Sequence, residues 1–190
     1  MADKQLFKTK KGAGKNSFLE TPVDIICTKS DLRPAMKCVY FKDGFLYATD
    51  AHIAIKQSLK LHGLEQEEIN ALDGKLISSE GIKALKKMDG FYIDEKGIVG
   101  VKGQNETRFN FVDERFPDLE AVLPKSSQEA TEFIGINPEL YARVGKVLIS
   151  DEDVPNFFRL DFYGTTRAIK ATTKIPDTEQ IAIIMPNLVS

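Results

Sequence analysis

No apolar run in these 190 residues approaches the roughly 18 needed to cross a bilayer, so a membrane-spanning helix is not expected. The opening stretch, MADKQLFKTKKGAGK, holds no apolar block of signal-peptide type, and the expected location is cytoplasmic. Cysteine is scarce. Cys27 and Cys38 sit in apolar segments without metal-ligand spacing, so buried reduced thiols are expected and no disulfide framework is implied. Only two histidines occur, His52 and His62, and they have no ligand spacing; His62 reads as part of a polar linker beside Gly63. No nucleophile motif accompanies them. An enzyme and a bound cofactor or metal are therefore not expected. Excess charge of one sign is missing too: a formal net charge of −2 argues against a protein that coats DNA with its whole surface, though it leaves room for a concentrated basic face.

What is present suits a folded protein with one or two cores, since 42% of the residues are hydrophobic and 28% charged. Residues 1–16 form a basic arm, expected to be flexible, with Lys4, Lys8, Lys10, Lys11 and Lys15. These lysines either touch phosphate or keep the terminus soluble. Residues 12–17 (GAGKNS) imitate part of a phosphate loop but lack its first glycine and preceding strand, and Asn16 intrudes before Ser17.

Beyond the arm, one order of elements recurs three times: a capped amphipathic helix followed by strands joined by tight turns. In the first unit Thr21 suits an N-cap and Pro22 the first helical position, with Val23, Ile26 and Cys27 as a buried stripe. Residues 37–42 read as a strand, Asp43-Gly44 as a hairpin turn, and residues 45–49 and 52–58 as the return strands around a sharp corner at Thr49-Asp50-Ala51. The second unit opens with a strand at 75–77. Ser78 or Ser79 then caps a helix carrying Ile82, Leu85 and Met88, with Lys83, Lys86 and Lys87 on another face. Strands at 91–93, 98–102 and 107–112 complete it. In the third unit a strand at 133–136 precedes Asn137 as N-cap, Pro138 and Glu139. Leu140, Tyr141, Val144, Val147 and Leu148 make an apolar face with Arg143 and Lys146 pointing elsewhere, and strands at 157–162, 167–172 and 181–185 end the chain.

Three segments, residues 47–56 (YATDAHIAIK), 116–125 (FPDLEAVLPK) and 183–190 (IIMPNLVS), resemble the bacterial sliding clamp, the DNA polymerase III beta subunit family. There the corresponding segments read approximately VATDGHRLAV, FPDY followed by basic residues and VLP, and VMPMRL. The resemblance implies an α+β DNA-clamp fold built from three strand-helix-three-strand units, one full clamp domain plus a half domain. Residues 17–125 resemble the middle clamp domain and 126–190 the C-terminal unit of the last; the family's first domain has no counterpart, and residues 126–131 read as a linker.

The same resemblance implies a non-enzymatic replication processivity and recruitment factor, with a hydrophobic groove for a DNA polymerase or other proteins bearing a clamp-binding motif. By position its lining would be Met36, Thr49, Ala51, His52, Ile53, Ala54, Pro117, Ala121, Val122, Ile183, Met185, Pro186 and Asn187. A groove of this composition suits a short peptide with leucine and phenylalanine anchors. Helical cations, Lys83, Lys86, Lys87, Arg143 and Lys146, with Lys29 extending the set, would contact the backbone of double-stranded DNA without reading sequence. The sequence departs from the family pattern at Ala51 for glycine, Ile53 for arginine, and Asn187 onward for the terminal MRL. A three-unit chain would need four copies to match a twelve-unit ring, so a homo-oligomer is one expectation. A clamp-derived peptide-binding module or decoy that does not encircle DNA is the alternative.

Overall fold

The computed structural model describes residues 7–8, 18–124, 133–149, 158–173, 175 and 178–187. Most of the basic arm, the linker 126–131 and the final residues 188–190 lie outside the described residues. Eleven strands among them are β1 (Phe7–Lys8), β2 (Cys38–Lys42), β3 (Phe45–Thr49), β4 (Ile53–Ser58), β5 (Leu76–Ser78), β6 (Gly90–Asp94), β7 (Gly97–Lys102), β8 (Asn105–Asn110), β9 (Arg159–Asp161), β10 (Ile169–Thr172) and β11 (Gln180–Ile184). The α-helices are α1 (Gln66–Leu72), α2 (Ser79–Leu85) and α3 (Pro138–Val147). A seven-stranded sheet runs β5-β2-β3-β4-β11-β10-β9 and a four-stranded sheet β1-β6-β7-β8, with every named pairing antiparallel.

Local chemistry explains most of the boundaries. Asp43 and Gly44 both take positive φ, 51° and 79°, the conformation that lets a two-residue hairpin follow the strand twist between β2 and β3. Ser78 Oγ accepts the Gly81 N–H at 3.0 Å and starts α2, while Asn137 Oδ1 accepts the Glu139 N–H at 2.9 Å and starts α3 behind Pro138. The helix expected in the first unit differs. Residues Val23–Ile26 form only one 3-10 turn, entered at Pro22 without a side-chain cap from Thr21, yet Val23, Ile26 and Cys27 are buried as their spacing predicts. Further differences follow from packing. The strand expected at 133–136 reduces to an isolated bridge, Gly135 with Asn187, and Phe7–Lys8 of the expected arm pairs with β6. Helix α1 was not expected at all. Its signal is the reciprocal capping box of Glu65 and Glu68, with Ile69 and Leu72 buried one turn on.

The single turn Val23–Ile26 packs against both α2 and α3, so the three repeats share one core under the helical side of the sheets. Side chains along β4 alternate accordingly: Ile53, Ile55 and Gln57 face this core, while Ala54 and Lys56 face outward. Two polar devices tie the third repeat to the first. Buried Gln57 donates from Nε2 to the Val147 carbonyl at 2.8 Å and to Gln180 Oε1 at 2.9 Å, joining β4, β11 and the end of α3. Arg143, expected to point away from the core, instead reaches inward to Asp50, as described below.

Cys27 and Cys38 are buried free thiols, and desolvation pushes the Cys38 thiol up to about 11. His62 is not in a polar linker. It is buried on the 3-10 turn Leu59–His62, and its Nδ1 accepts the Glu20 N–H at 3.1 Å, which assigns the proton to Nε2. Burial first, and the nearby Lys86 charge second, pull its pKa from 6.5 down to about 3. An unfolded chain therefore binds one more proton than the folded one between those values. This contribution to stability is complete above about pH 6.5 and declines as pH falls toward about 3. In His62→Gln, urea unfolding should show a weaker loss of stability over this window. The difference should approach about 1.4 kcal/mol per pH unit, the value for one proton, and parallel curves for the two proteins would contradict it.

Candidate functional site

The corner Thr49–Ile53 is held by its own side chains. Thr49 Oγ1 donates to the Ile53 carbonyl at 2.7 Å and accepts the Ala51 N–H at 3.1 Å. Asp50 Oδ1 accepts the backbone N–H groups of His52 and Ile53, each at 2.9 Å. Its Oδ2 holds Arg143 Nη1 at 2.7 Å. Asp50 thus touches His52 through the backbone and not through the imidazole, and its carboxylate is already shared with a guanidinium. That arrangement orients a turn; it does not assemble a general-base dyad.

Ala51 stands at φ 77°. This left-handed conformation crowds a Cβ against the following carbonyl and is ordinarily left to glycine. The corner nevertheless forms because three backbone N–H groups and one carbonyl are satisfied by Thr49 and Asp50. Ala51 and His52 project to solvent, whereas Thr49 and Ile53 are buried. The expected place of Thr49 and Ile53 in a groove lining is therefore corrected. Thr49 is used by the turn, and Ile53 faces the main core because strand alternation turns it inward.

Outward-facing positions do converge. Ala54 on β4 lies opposite Ile183 on β11, and one step along the ladder the Met185 N–H donates to the His52 carbonyl at 2.9 Å. Across this face runs the connector from Phe116 to Leu123, with a 3-10 turn at Glu120–Val122. Leu119 and Leu123 pack on Ala54, Ile181 and Ile183. Glu120 anchors the connector by an ion pair to Lys56 Nζ at 2.9 Å and by accepting the Tyr47 hydroxyl at 3.4 Å. The apolar space left between connector and sheet is about 10 Å³, too little for any side chain. Val122 and Met185 remain half-exposed beside it, as do Ala121 and Asn187 at the surface.

Met36 and Pro117 lie apart from that contact, in an open hollow of about 500 Å³ under the start of the connector. The structure therefore brings Ala54, Ile183, Met185 and His52 together and separates Met36 from them along the connector. Leu119 and Leu123, absent from the sequence-derived lining, occupy its centre. Their offset of four residues in FPDLEAVL, with a one-turn helix between them, is the signal that would have found them.

The helical cations are placed unequally. Arg143 donates from Nε and Nη2 to the Ile25 carbonyl at 2.9 and 2.6 Å and from Nη2 to that of Ile26 at 3.2 Å, besides holding Asp50. Lys86, one residue past the end of α2, pairs with half-buried Asp24. Both are engaged inside the fold, which corrects the expectation of free phosphate contacts from either. Lys29, Lys83, Lys87 and Lys146 are exposed.

With the two sheets, the three-repeat order and the connector across the outer face defined, comparison with solved structures becomes informative. A sliding clamp, the DNA polymerase III beta subunit from Bartonella birtlesii bound to griselimycin, superposes with a TM-score of 0.62 at 14% identity over 87% of this chain and 62% of its own. The fold is that of the bacterial sliding clamps. The beta subunit from Streptococcus pyogenes matches with a TM-score of 0.65 at 10% identity, covering 100% of this chain and 67% of that one. The Helicobacter pylori beta clamp bound to a DNA ligase peptide matches with a TM-score of 0.65 at 11% identity and the same coverage. This chain thus spans about three fifths of the length of the first-matched clamp. No protein-family model matches the sequence, and no curated protein is similar to it by sequence. Among the described residues no helix is long and apolar enough to cross a membrane.

In this clamp fold Ala51 carries a backbone conformation suited to glycine. Ala51→Gly should raise stability by about 1 kcal/mol, less the entropy that glycine adds to the unfolded chain, and leave the spectrum of the folded protein unchanged. Chemical denaturation checks this; a lowered midpoint would show that the corner is unstrained.

Proposed function

We propose that this protein is a non-enzymatic, clamp-derived recruitment factor. It docks partner peptides, including those of a DNA polymerase or other proteins with a clamp-binding motif, in the seam between β4 and β11, and it contacts duplex DNA through exposed lysines on and beside the helices. One observation carries the reading: the outward residues of the first and third repeats, Ala54 and Ile183, meet in one ladder with Met185 and His52 at its end. The half-exposed apolar Met185 and Val122 flank that seam, as a site for leucine and phenylalanine anchors requires. Similar folds hold griselimycin or a DNA ligase peptide, which makes griselimycin a usable probe here. Because Leu119 and Leu123 fill the seam, an incoming anchor has to displace them, and their packing opposes binding.

The DNA contribution rests on Lys83 in α2, Lys146 in α3, Lys87 just past α2 and Lys29 in the loop after Val23–Ile26, all exposed and without ion pairs among the described residues. Four such contacts would give weak binding, indifferent to sequence and strongly dependent on salt. The engagement of Arg143 and Lys86 within the chain favours the second reading, a peptide-binding module or decoy that does not encircle DNA. A tetrameric ring of twelve units and a cytoplasmic site of action belong to the first reading.

Two experiments test the parts separately. Griselimycin should bind the wild-type protein, bind about tenfold more weakly to Met185→Ala and bind more tightly to Leu119→Ala, as measured by calorimetry. Equal affinities for all three would overturn the seam as the site. Linear duplex DNA should be retained at low salt, with a log-log salt slope of about −3 to −4 that shrinks in Lys83→Ala/Lys87→Ala. Absence of any retention at low salt would leave the peptide module standing alone.

A further inference from the structure

On the outer face of the large sheet, next to the seam, four aromatic rings form a continuous shelf. Tyr40 on β2 stacks on Phe116 of the connector with centroids 5.1 Å apart, and lies 6.1 Å from Tyr47 on β3, which in turn lies 6.5 Å from Phe45. The shelf borders an open hollow of about 600 Å³. Aromatic faces in a solvent-open hollow suit two ligand chemistries, a nucleobase or a cation.

Charge separates the two. The rim carries Asp43, Glu114, Asp118 and Glu120 against Lys42, Lys56 and Arg115. Lys56 and its partners Glu120, at 2.9 Å, and Glu179, at 3.3 Å, are spent on one another, which leaves Asp43, Glu114 and Asp118 against Lys42 and Arg115 on the rim. The adjoining hollow shares Asp43 and Phe45 and adds Asp73 against Lys60, so outside that ion-paired cluster carboxylates exceed cations by one across the two hollows. A surround with a carboxylate to spare favours a cation over a phosphodiester chain. The rings also hold one cation already: Lys56 Nζ stands 4.5 Å from the Phe45 centroid.

We propose that this shelf docks an arginine side chain of the partner peptide, at the carboxylates of Glu114 and Asp118, as the peptide leaves the seam. Arginine fits better than lysine because its planar guanidinium stacks on a ring while its edge pairs with a carboxylate. The connector links the two sites: Phe116 belongs to the shelf and Leu119 to the seam. The partner class implied carries apolar anchors followed or preceded by arginine. This proposal rests on the peptide reading of the seam, and its test is chosen to separate the two.

Acetyl-Arg-Arg-amide titrated into the full chain should shift the aromatic NMR resonances of Tyr40, Tyr47 and Phe116, with a dissociation constant on the order of millimolar. The lysine dipeptide should bind about fivefold more weakly. Glu114→Lys, an exposed change, and Tyr40→Leu, which removes the ring and keeps an apolar residue, should each weaken the arginine dipeptide at least about fivefold. Absence of aromatic shifts, equal response to acetyl-Glu-Glu-amide, or stronger shifts with a thymidine hexanucleotide would overturn the proposal. Griselimycin binding without an arginine response overturns the shelf and leaves the seam; an arginine response without griselimycin binding supports the shelf and removes the seam.

Discussion

A single guanidinium holds the architecture at its centre. Arg143 leaves α3, satisfies the carbonyl groups of Ile25 and Ile26 at the end of a one-turn helix, and closes an ion pair with Asp50. It therefore fixes the third repeat against the first through two elements at once. Such a charge is held by its partners: removing one side of a buried pair typically costs about 3 kcal/mol or more because the other charge is left without compensation. The pair here is partly open to solvent, 27% exposed on the arginine side chain and 12% on the aspartate, which reduces that cost. Its geometric effect is larger than its energetic one. Asp50 shapes the 49–53 corner with one oxygen while its second is held by a residue 93 positions away.

That constraint propagates to the outer face. With α3 tied to the corner and Gln57 tied to Gln180 and Val147, β11 is carried alongside β4 in a register that sets Ile183 beside Ala54. The inner side chains of these strands belong to a shared core, and the outer ones make the seam. Alternation along β4 decides which residues face the seam, and it turns Ile53 to the core while setting Ala54 on the outer side. The connector then reads this outer face from one end to the other, placing Phe116 on Tyr40, Glu120 on Lys56 and two leucines over the seam. Seam and aromatic shelf are parts of one surface joined by one stretch of chain.

The candidate cations divide between cohesion and solvent. Lys86 is used by Asp24 and Arg143 by Asp50, so two of six positive charges serve cohesion between repeats. Where the single 3-10 turn Val23–Ile26 stands in place of the helix expected in the first repeat, polar ties replace part of the apolar contact that a longer helix would bring. The same charges cannot both bridge repeats and neutralise phosphate.

Much of this was legible in the sequence, and for local reasons. Asp43-Gly44, the Ser78 and Asn137 caps, the Pro138 helix start and the alternation of the strands act over a few residues, so the recurring order of elements could be read from them directly, whereas the clamp-like α+β class came from the resemblance of three short segments. The 49–53 corner was also visible, because Thr49 and Asp50 satisfy their own neighbours. Residue pairs far apart in the chain were not. Nothing in the sequence near Arg143 shows that its partners are Asp50 and two carbonyl groups more than a hundred residues earlier. Nor does a polar neighbourhood announce that His62 is enclosed, or that Leu119 and Leu123 close over Ala54 and Ile183. The sequence by itself determined the elements, since propensity, capping and turn chemistry are local. Which side chains are shared, buried or left for a ligand was decided only by tertiary structure, because desolvation and charge pairing depend on what the rest of the chain brings alongside.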